Sequence, residues 1–145
     1  MATFQKVNDF VANAVHNMDL ESDQIVVALS NTAPGSETLN PTSDDNGVLS
    51  NVTEIAYTNL SSRNVTTTSS TQTGGTYKLV LADLTLTSSG GSTGPFRFVY
   101  LYNETVATPA DPLVGYYDYG SSLTLNDGDS LTIDFSAANG VLQIA

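Results

Sequence analysis

Short apolar runs alternate along this chain with stretches of Ser, Thr, Asn and Gly. The second half carries the clearest pattern. Residues 77–87 hold one or two strands, and residues 88–94 form a Gly-rich break. Phe96, Phe98, Tyr100 and Tyr102 then recur at every second position. In a strand these rings share one face, with Arg97, Val99 and Leu101 on the other. Both faces are largely apolar, which predicts a central strand covered on both sides. Pro109, Asp111 and Pro112 interrupt the chain before a further run at 113–119. Residues 123–125 and 131–135 alternate on either side of Asn126-Asp127-Gly128-Asp129, the pattern of a tight hairpin. A second turn at 137–140 leads to a last strand at 141–144.

The first half is less regular. Residues 24–29 are a β-branched run that reads as a buried strand, closed by turn residues around Pro34 and Gly35. Residues 35–48 form the longest loop. Residues 48–57 mix apolar and polar positions. The Ser/Thr-rich stretch 58–75 fits a solvated strand pair, a projecting loop or a disordered tract. Near the N-terminus, Phe4, Val7, Phe10, Val11, Ala14 and Val15 recur at near-helical spacing. Asn8, Asp9 and Asn13 interrupt that pattern, so a short helix and an extended arm are both open. Either way this face needs a partner, its own domain or a neighbouring subunit.

Many short strands with turns every eight to twelve residues predict a mainly β fold. The architecture expected is an antiparallel β-sandwich, jelly-roll-like, with a short N-terminal helix or arm. Residues 1–20 would be the helix or arm and residues 21–145 a single sandwich domain. Composition agrees. Charged residues are 13% of the chain, so polarity rests on Ser, Thr and Asn, which disfavour helix.

Charge narrows the partners. Four Lys and Arg face fifteen Asp and Glu across 145 residues, a formal net charge of −11. Such a field repels phosphate backbones and anionic membranes. No nucleic-acid or membrane partner is expected; a neutral or basic protein surface or a cation fits better. There is no signal-peptide pattern and no apolar segment of membrane-spanning length. Without Cys there are no disulfides, thiolate nucleophiles or Cys-type zinc sites.

Catalytic signals are thin. His16 is the one histidine, and no G-x-S-x-G elbow accompanies it. Asp111 and Asp118 are a candidate carboxylate pair, but nothing fixes their separation. No catalytic residue and no cofactor is assigned, and the chain is read as a non-enzyme. Asp44-Asp45-Asn46-Gly47 and Asn126-Asp127-Gly128-Asp129 cluster oxygen ligands near a Gly, so structural calcium is open, although both are equally good β-turns. Tyr116, Tyr117 and Tyr119 could pack a core, anchor an interface or stack on sugar rings. The candidate interface residues are Phe4, Val7, Phe10 and Val11 with Tyr116, Tyr117 and Tyr119. Sequons begin at Asn51, Asn59, Asn64 and Asn103.

Several blocks carry a family likeness. They are Val27-Ala28-Leu29-Ser30-Asn31-Thr32-Ala33-Pro34, Gly94-Pro95-Phe96-Arg97-Phe98-Val99-Tyr100-Leu101-Tyr102-Asn103, and Asp111-Pro112-Leu113-Val114-Gly115-Tyr116-Tyr117-Asp118-Tyr119-Gly120. The ending from Leu125-Asn126-Asp127-Gly128 to Asn139-Gly140-Val141-Leu142 joins them. Together they resemble small virion proteins encoded among the structural genes of tailed bacteriophages, over most of the chain except roughly residues 35–75. The resemblance implies a phage particle component, in this size class most closely a capsid cement or decoration protein. Such proteins are small, β-rich and often trimeric, and they tie major capsid subunits together on the outside of the head. It implies a homotrimer on the capsid surface, with the major capsid protein as partner and residues 1–20 reaching a neighbour. The alternative is a receptor- or glycan-binding module of a tail tip or fibre.

Overall fold

The computed structural model describes residues 2–35 and 47–145. In chain order the elements are β1 (Gln5–Lys6), α1 (Phe10–His16), β2 (Ile25–Ser30), β3 (Asn64–Val65), β4 (Thr67–Thr73), β5 (Thr76–Leu81), β6 (Leu84–Thr87), β7 (Thr93–Asn103), β8 (Leu113–Leu125), β9 (Ser130–Ile133) and β10 (Leu142–Ile144). All strand pairings are antiparallel. One sheet has the order β1-β8-β7-β2-β3, a second β10-β5-β4, and a third is the pair β6-β9. The fold is thus mainly β with antiparallel sheets and one short N-terminal helix, a β-sandwich as expected.

Apolar burial explains the layering. Ile25, Val27 and Leu29 of β2 meet Val99 and Leu101 of β7 in one core cluster, which also holds Leu79, Leu81, Leu86, Ile133 and Leu142 from the two smaller sheets. Burying each such side chain contributes about 1.5–3 kcal/mol. On the opposite face of the five-stranded sheet, Val26, Ala28, Phe98, Tyr100 and Tyr102 form a second cluster with Val7, Leu113 and Tyr116. Partly buried Leu49 and Val52 pack against it. Every residue of β2 is therefore buried, and β7 is central and covered on both sides.

Three sequence expectations need adjustment. The aromatics of β7 do not all share a face. Phe98, Tyr100 and Tyr102 do, but Phe96 packs into the first cluster. The β7–β8 register shifts between Phe96 and Phe98, where five positions on β8 span two on β7 (Leu123 to Asp118), so alternation is broken there. The turn at 126–129 forms, with Gly128 at φ +89° and Asp129 N–H donating to the Asn126 carbonyl at 2.9 Å. It does not close a hairpin. β8 stays with β7, while β9 crosses to pair with β6. The turn is instead fastened to the 88–90 segment: Ser88 exchanges backbone bonds with Gly128 and Asp129, and Gly90 N–H donates to Asp127 Oδ1 at 2.8 Å. It is an arch between sheets.

The third concerns the N-terminus, where arm and helix occur in succession. Residues 5–6 pair with β8, Val7 N–H donates to the Val114 carbonyl, and the helix begins only at Phe10. The Asn8-Asp9 pair makes the break. The buried Asp9 carboxylate accepts from Gly47 N–H at 3.1 Å and Asn13 Nδ2 at 3.4 Å rather than capping its own helix. Phe10 and Asn13 face inward; Val11 and Val15, four apart, face outward. Residues 58–75 hold two strands, β3 and β4, which are not a pair: β3 joins β2 and β4 joins β5, in different sheets.

Candidate functional site

The exposed large apolar side chains among the described residues are Val11, Val15, Tyr119 and Ile144. Tyr119 borders one cleft, and Val15 and Ile144 border another.

The first cleft lies where the N-terminal arm crosses β8. Gly115 permits that crossing, since a Cβ there would fall 2.6 Å from the Gln5 carbonyl oxygen and collide with the Phe4 ring. Phe4 packs on Tyr117 with ring centroids 5.3 Å apart, and Tyr117 packs on Phe135 at 6.3 Å. Burial pushes the Tyr117 hydroxyl up to about 12, with the Asp134 charge adding to it. Beyond Tyr117, Asp118 forms a two-point ion pair with Arg97 at 2.7 and 2.8 Å and accepts from Gly120 N–H. The strand bulges here, and Tyr119 is left 52% exposed. The resulting cavity of about 250 Å³ is floored by Val99, Tyr117, Leu131 and Ile133, and Ala2, Tyr119, Thr132 and Asp134 complete it.

The second cleft, about 420 Å³ and more open, lies between the end of α1 and the β10-β5-β4 sheet. Ala14, Val15, Met18, Leu20, Tyr77 and Ile144 supply its apolar wall. Asp19, Glu21 and Ser70 give it polar character. Ser70 Oγ and Tyr77 OH are 2.9 Å apart. Burial raises the Tyr77 hydroxyl, and the charges of Asp19 and Glu21 add to the effect.

The seven interface candidates fall into two sets. Tyr117 and Tyr119 line the first cleft with Phe4 packed behind Tyr117, and Val11 is 50% exposed on the outer face of α1. Val7, Phe10 and Tyr116 are buried in the protein's own core. Tyr116 OH donates to Gln5 Oε1 at 3.0 Å, so it clasps the arm. Sequence reasoning placed Val15 on the apolar N-terminal face but did not name it, Leu131 or Ile144 as interface candidates. α1 buries Phe10 and Asn13 and leaves Ala14 half-buried, which puts Val11 and Val15 on its outer side.

The remaining candidates line neither cleft. His16 is the exposed last residue of α1. Asp111 takes a left-handed conformation, φ +52°, and its carbonyl accepts from Leu49 N–H. The Arg97 guanidinium holds the Asp118 carboxyl below the usual carboxylate range, so it is a paired anion rather than a proton donor. Asp127 and Asp129 accept from Gly90 and Asn126 N–H groups. No group of three or more His, Asp and Glu side chains converges as a metal site among the described residues. Asp44, Asp45 and Asn46 lie outside the described residues. Asn103, at one sequon, is buried and donates through Nδ2 to Asp23. No helix among the described residues is long and apolar enough to cross a membrane.

Fold and clefts together define an antiparallel β-sandwich with two separate apolar recesses. The chain matches no protein-family profile, no curated protein and no solved structure.

Proposed function

We propose that the chain is a non-catalytic structural protein of a tailed-bacteriophage particle, a cement protein on the head surface that bridges neighbouring major capsid subunits as a homotrimer. One observation carries the reading: the two apolar clefts share no residue and are built from different sheets. A bridge needs at least two docking surfaces held at fixed geometry. A trimer of such bridges multiplies affinity through effective concentration, so each contact can be modest. The net charge of −11 suits a neutral or basic protein partner. The likeness of the quoted sequence blocks to phage virion proteins supplies the particle. The test is binding to assembled capsid shells and to free capsid subunits. Binding to shells alone, with complete particles retaining DNA on heating better than particles lacking the protein, supports the proposal. Equal robustness of the two particles refutes it.

The first cleft favours a second reading, a glycan-binding module of a tail tip or fibre. Tyr117 and Tyr119 set aromatic rings beside the polar groups of Thr132 and Asp134, as sugar sites do. A glycan array with wild type and Tyr119→Ala decides it. Retention of a glycan by wild type and its loss in the variant would favour this reading over cement.

A further inference from the structure

We infer that β4 is a docking edge. It accepts an extended, basic segment of another protein as an added antiparallel strand, with that segment's apolar side chains seated in the second cleft.

The backbone supplies the first argument. β4 pairs with β5 and lies at the edge of its sheet. At seven residues it is the longest strand at the end of a sheet among the described residues; β1 and β3 have two residues, β10 three, and β6 and β9 four. Natural edges are blunted by charge, proline or a bulge. β4 reads Thr-Thr-Ser-Ser-Thr-Gln-Thr, with no charge and no proline. Its one irregularity lies between Thr67 and Ser69, which leaves 69–73 regular. Such an edge is a template for strand addition.

Side-chain direction supplies the second. Residues paired across two strands point to the same face. Ser70 lines the second cleft, so a residue added opposite Ser70 points to the cleft side of the sheet. Residues two before and two after it share that side. The cleft is therefore reached from the edge itself.

Charge supplies the third and chooses the occupant. Asp19 and Glu21 line the cleft, while Lys78, in register with Thr71, belongs to the opposite face. A matching segment is apolar and basic on its cleft side and neutral on its outer side. A second copy pairing through its own β4 would bring no Lys or Arg to face Asp19 and Glu21.

The inference rests on reading the chain as a docking protein, not on its place in a phage particle. The probe is the capped heptapeptide Lys-Thr-Val-Thr-Val-Thr-Lys, and the control has Glu for both Lys. Backbone amide shifts of the full chain are followed during titration. The Lys peptide should bind with a dissociation constant on the order of 10⁻⁴ M, moving amides of 69–73 first. The Glu peptide should bind at least about tenfold more weakly. Val15→Lys and Ile144→Lys change side chains that are 77% and 48% exposed, so folding survives. Each should weaken the Lys peptide about fivefold. Equal binding of both peptides, or shifts that spare 69–73, overturns the inference. So does movement of 69–73 with protein concentration alone, which would make a second copy the occupant. Failure of the Lys peptide to bind, with capsid shells still bound, removes the edge but leaves the cement reading. Peptide binding without shell binding does the reverse.

Discussion

Replacing Gly115 by Ala should peel the N-terminal arm from the sandwich. Gly115 lies opposite Lys6 in the β1–β8 pairing. An alanine Cβ would sit 2.6 Å from the Gln5 carbonyl oxygen and 2.7 Å from Phe4 Cε2. Neither neighbour is the free end of a flexible chain: one is backbone, and the other is a ring held against Tyr117. Overpacking of this kind costs about 1–3 kcal/mol. The upper limit is the arm's own docking energy, since the chain escapes the clash by letting go. That docking comprises one aromatic pair, about 0.5–1.5 kcal/mol, and a few backbone bonds at about 1 kcal/mol each. A loss of about 2–3 kcal/mol follows, which for a chain of this size lowers Tm by about 4–10 °C. Two assays read it. Calorimetry gives the Tm, and trypsin cleavage after Lys6 reports release of the arm. Adding Phe4→Ala should cost less than the sum of the single changes, because it removes the ring from the collision. A Tm within about 1 °C of wild type, with Lys6 equally protected, would refute the close approach.

Other outcomes follow from buried or paired polar groups. Asp9→Ala leaves the Gly47 N–H without its side-chain acceptor in a buried site and should cost about 1–3 kcal/mol in denaturant unfolding. In alkali, Tyr117 should ionise near 12 rather than about 10, so the stabilisation of its neutral form is complete below pH ~10 and is lost as pH rises toward 12. Phenolate absorbance should therefore show a late phase coincident with unfolding; simple titration of every tyrosine near 10 would contradict it. In acid the sign reverses. Pairing with Arg97 lowers the folded Asp118 value, so its stabilisation is present above about pH 4 and is lost as pH falls through the folded value. Asp118→Asn should flatten that part of the stability–pH profile, and salt should shrink the difference between the two proteins.

What was legible in the sequence divides along a physical line. Elements whose fate depends on their own side chains read well. The unbroken apolar run of β2 required burial on both faces, and it has it. The ring-bearing strand β7 required a central place, and it has that. What depends on partners did not read. The strands flanking 126–129 have the alternation of a hairpin, yet alternation states only that one face is buried, not which strand lies alongside. The bonds that decide it come from Ser88 and Gly90, some forty residues earlier. Phe96 was misplaced for a similar reason, because the β8 bulge that turns it inward is a property of the pairing.

The same limit governs the docking surfaces. Tyr117 and Tyr119 stood out because aromatic rings are conspicuous, and they do border a cleft. The second cleft is assembled from Val15, Ile144 and Tyr77, more than sixty residues apart at the closest between helix and sheet, none of them unusual in its local context. Its edge strand β4 lies in the stretch left open between a strand pair, a loop and a disordered tract, because Ser and Thr carry no hydrophobic period. A strand that ends a sheet needs no apolar face of its own, since β5 supplies Leu79 and Leu81 to the core beside it. That absence of pattern is what an edge meant to remain open would present: polar enough to stay in solution, uncharged enough to pair. Hydrophobic periodicity reports what a chain buries within itself. Surfaces kept for a partner are read from what the fold leaves unpaired.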